Sequence, residues 1–116
     1  MKRVAWIALI LGAHVSFAAN YCVVVSQKTA KHKEWAKVVS AMKEKHSAEV
    51  IYYKMSVEES LHALRESFPR YACFVARPEE TSKEFVKAIH RMTRRLDTDP
   101  YTDLFWGILT GHDAEN

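Results

Sequence analysis

Four residues near the end of the chain have the types and spacing of a chemical site. Thr110, Gly111, His112 and Asp113 directly follow an apolar run, LFWGIL. A glycine beside a histidine and a carboxylate is typical of an active-site loop or of a loop that cradles phosphate. His112 is the only histidine at the predicted end of a strand, so it is a candidate for proton transfer. A loop or helix-capping role is the simpler interpretation of His112 and Asp113.

A cysteine and a histidine could form a nucleophilic dyad, in which imidazole takes the thiol proton. Cys22 and Cys73 both lie inside apolar runs, YCVVV and ACFVA. Cysteine in such runs usually behaves as a small buried hydrophobe. Two core thiols are therefore favoured over a disulfide, which an oxidising compartment would permit. No catalytic residue is assigned.

Metal and cofactor motifs are missing from the sequence. His32, His46, His62 and His90 fall on or near predicted helices among charged neighbours, and no HxxxH or CxxC pair occurs. The first strand is followed by SQKTAK and not by GxGxxG, and GxxxxGK[ST] does not occur. We predict no metal site and no cofactor.

The elements that position these residues alternate along the chain. Helical segments with an apolar face separate short apolar runs, and the runs are Tyr21–Ser26, Glu49–Tyr53, Tyr71–Ala76 and Leu104–Leu109. Strands that alternate with helices predict right-handed crossovers and a parallel sheet. The predicted fold is α/β, a four-stranded parallel sheet with flanking helices in the order 2-1-3-4.

Helix boundaries follow from capping residues and prolines. The first helix is predicted from about Lys31 to His46. The second carries a capping box of Ser56 and Glu59, an apolar face that includes Phe68, and a stop at Pro69. The third follows the break at Pro78, with a second capping box formed by Thr81 and Glu84.

Ligands of open parallel sheets bind beyond the carboxyl ends of the strands. This rule selects four predicted loops for a search, at 26–29, 54–56, 77–79 and 110–113. The capped start at Ser56 could hold an anion, although a structural cap is the simpler interpretation. The candidate ligand-binding residues are Ser26, Lys28, Arg77, His112 and Asp113.

The first 18 residues predict export. Lys2 and Arg3 precede an apolar stretch, and Ser16 and Ala18 stand at the small-residue positions before a cleavage point, as in a secretory signal peptide. An uncleaved anchor and a core helix are the alternatives, but a spanning helix needs about 20 apolar residues. We expect cleavage after Ala18, a periplasmic or secreted product and no membrane span after cleavage.

The remaining segment, 19–116, has the composition of one small globular domain. The whole chain has 116 residues, 48% of them apolar and 27% charged, and a formal charge of +3. Loss of Lys2 and Arg3 leaves 15 basic residues against 14 acidic ones. Nucleic-acid binding therefore lacks the basic excess that such domains usually carry. The lysines around the first helix indicate a solvated face, or contact with an acidic partner.

The last strand is predicted to lack a covering helix. Asp113 could be the N-cap of a helix that Ala114, Glu115 and Asn116 would begin. Without that helix, Phe105 and Trp106 could not both be buried. The domain 19–116 is therefore expected to be incomplete at its C-terminus.

The predicted signal peptide, the three βα units and the final DTDPYTDLFWGILTGHDAEN together resemble the opening of gingipain-type cysteine peptidases, which are secreted bacterial proteins. The specific part of this resemblance runs from Asp99 to Asp113. In that family a first α/β subdomain leads into a caspase-like second one, which carries a His-Gly pair and a later cysteine. Here Gly111 precedes His112 and no cysteine follows Cys73, so no catalytic residue can be transferred.

Two functions remain open from the sequence. The resemblance implies a non-catalytic amino-terminal α/β portion of an exported gingipain-like cysteine peptidase, whose partner would be the missing C-terminal catalytic subdomain. The alternative is a small exported α/β binding or interaction domain that uses the loops after the strands for an anionic or peptide ligand.

Overall fold

The computed structural model describes residues 20–96 and 104–112. Four parallel strands form one sheet in the order β2-β1-β3-β4, as predicted. The strands are β1 (Tyr21–Ser26), β2 (Glu49–Tyr53), β3 (Tyr71–Val75) and β4 (Phe105–Leu109). The helices are α1 (Gln27–Lys31), α2 (Lys33–His46), α3 (Leu61–Ser67) and α4 (Lys83–Thr93). Two 3₁₀ turns, Val57–Ser60 and Pro78–Glu80, precede α3 and α4.

β1 is buried on both faces because it is a central strand and helices pack against each face of the sheet there. Its side chains alternate, so Cys22 and Val24 join one core cluster while Val23 and Val25 join the other. A strand buried on both faces has a continuous apolar sequence, so apolar and polar residues do not alternate in YCVVV.

One helix covers the first of these faces. Trp35 and Val39 of α2 pack with Val23, Val25 and Val75. We call this the α2 face.

The opposite face carries two helices. Leu64 of α3 and Ile89 and Met92 of α4 pack with Val24 and Phe74, and all five side chains are fully buried. We call this the α3/α4 face.

The first predicted helix is present as α2 (Lys33–His46), and a short additional helix, α1, precedes it. The chain becomes helical directly after β1, because the Ser26 side chain caps α1 by accepting a hydrogen bond from the Thr29 N–H at 3.1 Å. His32 is extended (φ −71°, ψ 123°) and separates α1 from α2. The prediction of a loop at 26–29 was therefore wrong.

The second helix ends before its predicted apolar face is complete. The capping box of Ser56 and Glu59 is confirmed, although it starts a 3₁₀ turn that continues into α3. Phe68 adopts the left-handed conformation (φ 42°, ψ 57°) after the last helical residue. Its ring leaves the helix face and is 54% exposed, so its predicted place in the core was wrong.

The third helix begins one residue later than the predicted cap. Ser82 is the N-cap of α4, and its hydroxyl accepts a hydrogen bond from the Phe85 N–H at 3.1 Å. The Thr81 hydroxyl instead donates to the Arg77 carbonyl at 3.0 Å. The predicted capping box of Thr81 and Glu84 was wrong because this carbonyl engages the threonine.

Both cysteines are free and buried, and they lie on opposite faces of the sheet. Cys22 of β1 is paired in register with Ala72, and Cys73 of β3 is paired with Val23. Neighbouring residues in register point to the same face, so the two thiols point apart. The interpretation as two core thiols is confirmed.

Among the described residues, core side chains pack against only one face of β4. Trp106 and Ile108 pack against the α3/α4 core, whereas Phe105 is 61% exposed and Leu109 is 37% exposed. A Cβ atom added at Gly107 would meet no atom within 4 Å, which shows open space beside the strand. As expected, Phe105 and Trp106 are not both buried.

The predicted signal peptide, the polar turn at 97–103 and Asp113 lie outside the described residues. Within 20–96 and 104–112, no helix combines the length and hydrophobicity needed to cross a bilayer.

Candidate functional site

The chain reverses its direction of winding between β1 and β3. The crossover from β1 to β2 passes over one face of the sheet, and the next two crossovers pass over the other. Loops therefore diverge at the carboxyl ends of β1 and β3, and this is where open α/β sheets bind ligands. A cavity of about 530 Å³ opens at this edge.

The cavity is lined from the ends of β1, β2 and β3 and from the start of α4. Three of the sequence candidates, Ser26, Lys28 and Arg77, line it together. The lining also includes Tyr53, Lys54, Met55, Val57, Glu58, Glu80, Glu84, Phe85, Ala88 and Arg91.

A partly buried carboxylate joins the start of α1 to the turn after β3. Glu80 accepts hydrogen bonds from the Ser26 hydroxyl at 2.6 Å, from the Thr29 hydroxyl, and from the Arg77 N–H at 3.0 Å. Burial acts to raise the pKa of Glu80, but these donors and the Arg77 charge outweigh it and hold the pKa below its usual value. Glu80 is therefore an anion at neutral pH that is already satisfied by the protein.

Arg77 belongs to the same network. Its Nε donates to the Thr29 hydroxyl at 2.9 Å, and its guanidinium lies 3.3 Å from Glu79 and 3.8 Å from Glu80. Ser26 is also engaged, because its hydroxyl accepts from the Thr29 N–H and donates to Glu80. Ser26 and Arg77 thus connect two loops and form one wall of the cavity.

Tyr53 presents a different kind of group to the cavity. Its side chain is 6% exposed, and its hydroxyl makes no hydrogen bond to any described residue. Burial, followed by the negative charges of Glu80 and Glu59, raises the pKa of Tyr53 above its usual range. Tyr53 is therefore a neutral donor without a partner among the residues that the structure describes.

Charged side chains surround the rest of the cavity. Arg91 lies 3.5 Å from Glu58 and forms an ion pair with it. Lys28 and Lys54 form no ion pair within the described part of the chain, and Glu84 forms none there either. Lys28, Lys54 and Glu84 are therefore the charged lining residues that form no ion pair within the described part of the chain.

The backbone of the turn after β2 already binds an anionic group of the protein, the side-chain carboxylate of Glu59. The Glu59 carboxylate accepts hydrogen bonds from the backbone N–H groups of Lys54 at 3.0 Å, Met55 at 2.9 Å and Ser56 at 2.9 Å. These three donors hold the pKa of Glu59 below its usual value. The capped start at Ser56 is therefore structural, as the simpler interpretation has it.

Neither thiol is suited to act as a nucleophile. Burial, with a smaller effect of the Glu49 charge, raises the pKa of Cys22 to about 11, and a hydrogen bond with Ser67 lowers it only in part. Burial also raises the pKa of Cys73. Both thiols are protonated at neutral pH, and the reactive thiolate is scarce.

His112 is exposed after the end of β4 and does not line the cavity. The nearest link between these regions is the Thr81 hydroxyl, 3.5 Å from that of Thr110. His46 stacks on Tyr21, and His62 contacts Glu66 at 3.3 Å, so these two have structural neighbours. Among the described residues, no group of three histidine, cysteine or carboxylate side chains could hold a metal ion.

The sequence candidates did not include Tyr53, Glu80 or Thr29, although Thr29 lies in one of the four segments selected for the search. Tyr53 closes a strand whose apolar pattern indicates only core packing. Glu80 had a local signal, since a proline followed two residues later by glutamate suits the first turn of a capped helix. No protein-family model matches the chain, and no curated protein and no solved structure matches it either.

Proposed function

We propose that this chain is a non-catalytic α/β binding domain whose ligand occupies the cavity at the carboxyl ends of β1, β2 and β3. The observation that carries the proposal is the side chain of Tyr53, which is 6% exposed, lines a cavity of about 530 Å³ and makes no hydrogen bond to a described residue. Ligand sites commonly have volumes of about 300 to 1,000 Å³ with a few placed polar groups. A ligand that enters the cavity could accept the hydrogen bond that this hydroxyl otherwise donates to water.

Binding is favoured over catalysis by the state of the surrounding groups. The Glu80 carboxylate and the Ser26 hydroxyl are held by each other and by Thr29. The Cys22 and Cys73 thiols are buried and protonated. A nucleophile with an adjacent base, which covalent catalysis requires, is not formed by these groups.

The proposal is tested by adding aromatic fragments to the ¹⁵N-labelled native product and following amide shifts. Benzamide, 3-phenylpropionate and phenethylamine are suitable probes. We expect at least one of them to shift amides around Tyr53, Arg77 and Ala88. Ala88→Leu, which fills the cavity, should abolish these shifts, and Ala36→Leu on α2 should preserve them. Shifts confined to other surfaces would contradict the proposal.

A second candidate is the non-catalytic amino-terminal portion of an exported gingipain-like cysteine peptidase. The uncovered face of β4, with Phe105 and Leu109 exposed, favours it. A following catalytic subdomain would be the partner that covers this face. The proposal includes export with cleavage after Ala18.

Intact mass of the native exported product tests this second candidate. A mass well above that of residues 19–116 would support a longer parent, in which the His-Gly pair and the later cysteine would then be sought. A mass that matches 19–116, together with cooperative unfolding, would rule the candidate out and leave the binding domain.

A further inference from the structure

We propose that the cavity takes a small organic carboxylate with an apolar body. This inference rests on the proposed binding function and names the chemical class of the ligand. It is carried by the unpartnered Tyr53 hydroxyl, by the charges left unpaired around the cavity, and by the apolar side chains on its wall.

Tyr53 supplies a neutral hydrogen-bond donor. Its hydroxyl makes no hydrogen bond to a described residue although the side chain is 6% exposed. Tyr53 is the last residue of β2 and lines the cavity, so its side chain lies at the carboxyl end of the sheet. A donor that stays protonated fits an acceptor atom of the ligand, and a carboxylate oxygen is a strong acceptor.

The charge balance selects a monoanion. Four cationic side chains and three anionic ones line the cavity, and Lys28, Lys54 and Glu84 are those that form no ion pair within the described residues. Two cations and one anion attract a ligand with one negative charge. A phosphate group, with nearly two negative charges at neutral pH, would meet stronger repulsion from Glu80 and Glu84. A lysine ammonium attracts an anionic group as a point charge and does not require bidentate geometry.

The remaining wall is apolar. Met55, Val57, Phe85 and Ala88 line the cavity, and Met55 is 89% exposed at its rim. An exposed methionine adapts to varied apolar shapes. A ligand that joins a carboxylate to an aromatic or aliphatic body would occupy both the charged and the apolar parts.

The test compares three probes that share a phenyl group and differ in charge. We would titrate the ¹⁵N-labelled native product with 3-phenylpropionate, 3-phenylpropionamide and phenyl phosphate, and measure Kd from the amide shifts of residues that line the cavity. We expect 3-phenylpropionate to bind about tenfold or more tightly than each of the other two. Its binding should weaken as salt is added, since the lysines are exposed.

Two variants with matched controls assign the effect to this cavity. Tyr53→Phe removes the hydroxyl and keeps the ring, and it should weaken 3-phenylpropionate about tenfold, because hydrogen bonds to charged groups contribute strongly. Tyr52→Phe, on the exposed neighbouring residue, should change nothing. Lys28→Gln should weaken binding severalfold, whereas Lys31→Gln on the same helix should not.

The outcomes separate the two proposals. If the amide or the phosphate binds in the cavity as tightly as the carboxylate, the carboxylate inference is wrong while the binding function stands. If Tyr53→Phe and Lys28→Gln both leave the affinity unchanged, the inference is also wrong. If no probe and no fragment shifts the residues around the cavity, both proposals fail.

Discussion

The two faces of the sheet carry similar apolar side chains, but they are not equally covered. On the α3/α4 face two helices bury β1 and β3 and partly cover β4. On the α2 face one helix buries the central strands and leaves Phe105 and Leu109 of β4 exposed. The placement of the crossover helices, and not residue type, therefore decides which apolar residues are buried. Right-handed crossovers fix that placement once the strand order is set.

The largest expected difference concerns the two thiols, which lie on opposite faces. Both should react with a disulfide reagent more than about a thousandfold more slowly in the native protein than in urea, because exposure requires unfolding that costs about 5 kcal/mol or more. Cys73 on the α2 face is 8% exposed and Cys22 is fully buried, so Cys73 should react first. Absorbance kinetics with Ellman's reagent give both rates.

The raised pKa values add to this protection. A thiol whose pKa is raised holds less thiolate at pH 8, so its reaction accelerates as the pH approaches that pKa, about 11 for Cys22. In urea without reductant, two thiols per chain should be counted. A count near zero would mean a disulfide and would contradict the opposite-face geometry.

Substituting a phenylalanine on each of two neighbouring strands compares how much each face of the sheet contributes to stability. Phe74 is fully buried on the α3/α4 face, and Phe74→Ala should destabilise the fold by about 3 to 5 kcal/mol through the cavity it leaves. Phe105→Ala on the open side should change stability by less than about 1 kcal/mol, as for other surface substitutions. Urea unfolding monitored by circular dichroism measures both. An equally large loss for Phe105→Ala would show that its ring is covered in solution.

Much of this fold could be predicted because its determinants are local or topological. Apolar runs and helical periodicity located the strands, and the order β2-β1-β3-β4 was predicted because it is the commonest doubly wound arrangement with three crossovers. Errors arose where one hydrogen bond decided the outcome, as when Ser26 started a helix directly after β1 and when Ser82 replaced Thr81 as the cap.

The site could be predicted only in part. The rule for carboxyl ends selected the correct edge of the sheet, and three of the candidates, Ser26, Lys28 and Arg77, line the cavity there. It missed the Glu80 network, whose bonds join residues 54 and 51 positions apart in the sequence. Pairings at that distance follow from the completed sheet and leave no local pattern. The site role of His112 stays a prediction, and the structure places it outside the cavity.

Disrupting the Glu80 network should lower the free energy of unfolding by less than a core substitution does, and this loss should depend on pH. Glu80→Gln removes a charged acceptor of three hydrogen bonds and should destabilise the fold by about 2 kcal/mol at pH 7. Because folding lowers the pKa of Glu80, its contribution is present above the unfolded value near 4.5 and is lost as the pH falls through the folded value. Urea unfolding between pH 7 and pH 3 measures this dependence.

The neighbouring glutamate provides the control. Glu79 is 65% exposed and contacts only Arg77 among the described residues, so Glu79→Gln should change stability by less than about 0.5 kcal/mol. Stability of the Glu80→Gln variant should depend less on pH in the acid range than that of the wild type. If the Glu80→Gln variant and the wild type lost stability equally in acid, the titrating group would be another carboxylate.

The smallest expected effects come from the helix caps, which differ between the faces. Ser82 caps α4 through its hydroxyl, so Ser82→Ala should destabilise the fold by about 1 kcal/mol. The His32 side chain makes no capping hydrogen bond to α2, although its backbone is extended as a cap requires. His32→Ser should therefore stabilise the fold by about 0.5 kcal/mol. Thermal unfolding of both variants measures the difference, and a destabilising His32→Ser would mean that the imidazole already holds the start of α2.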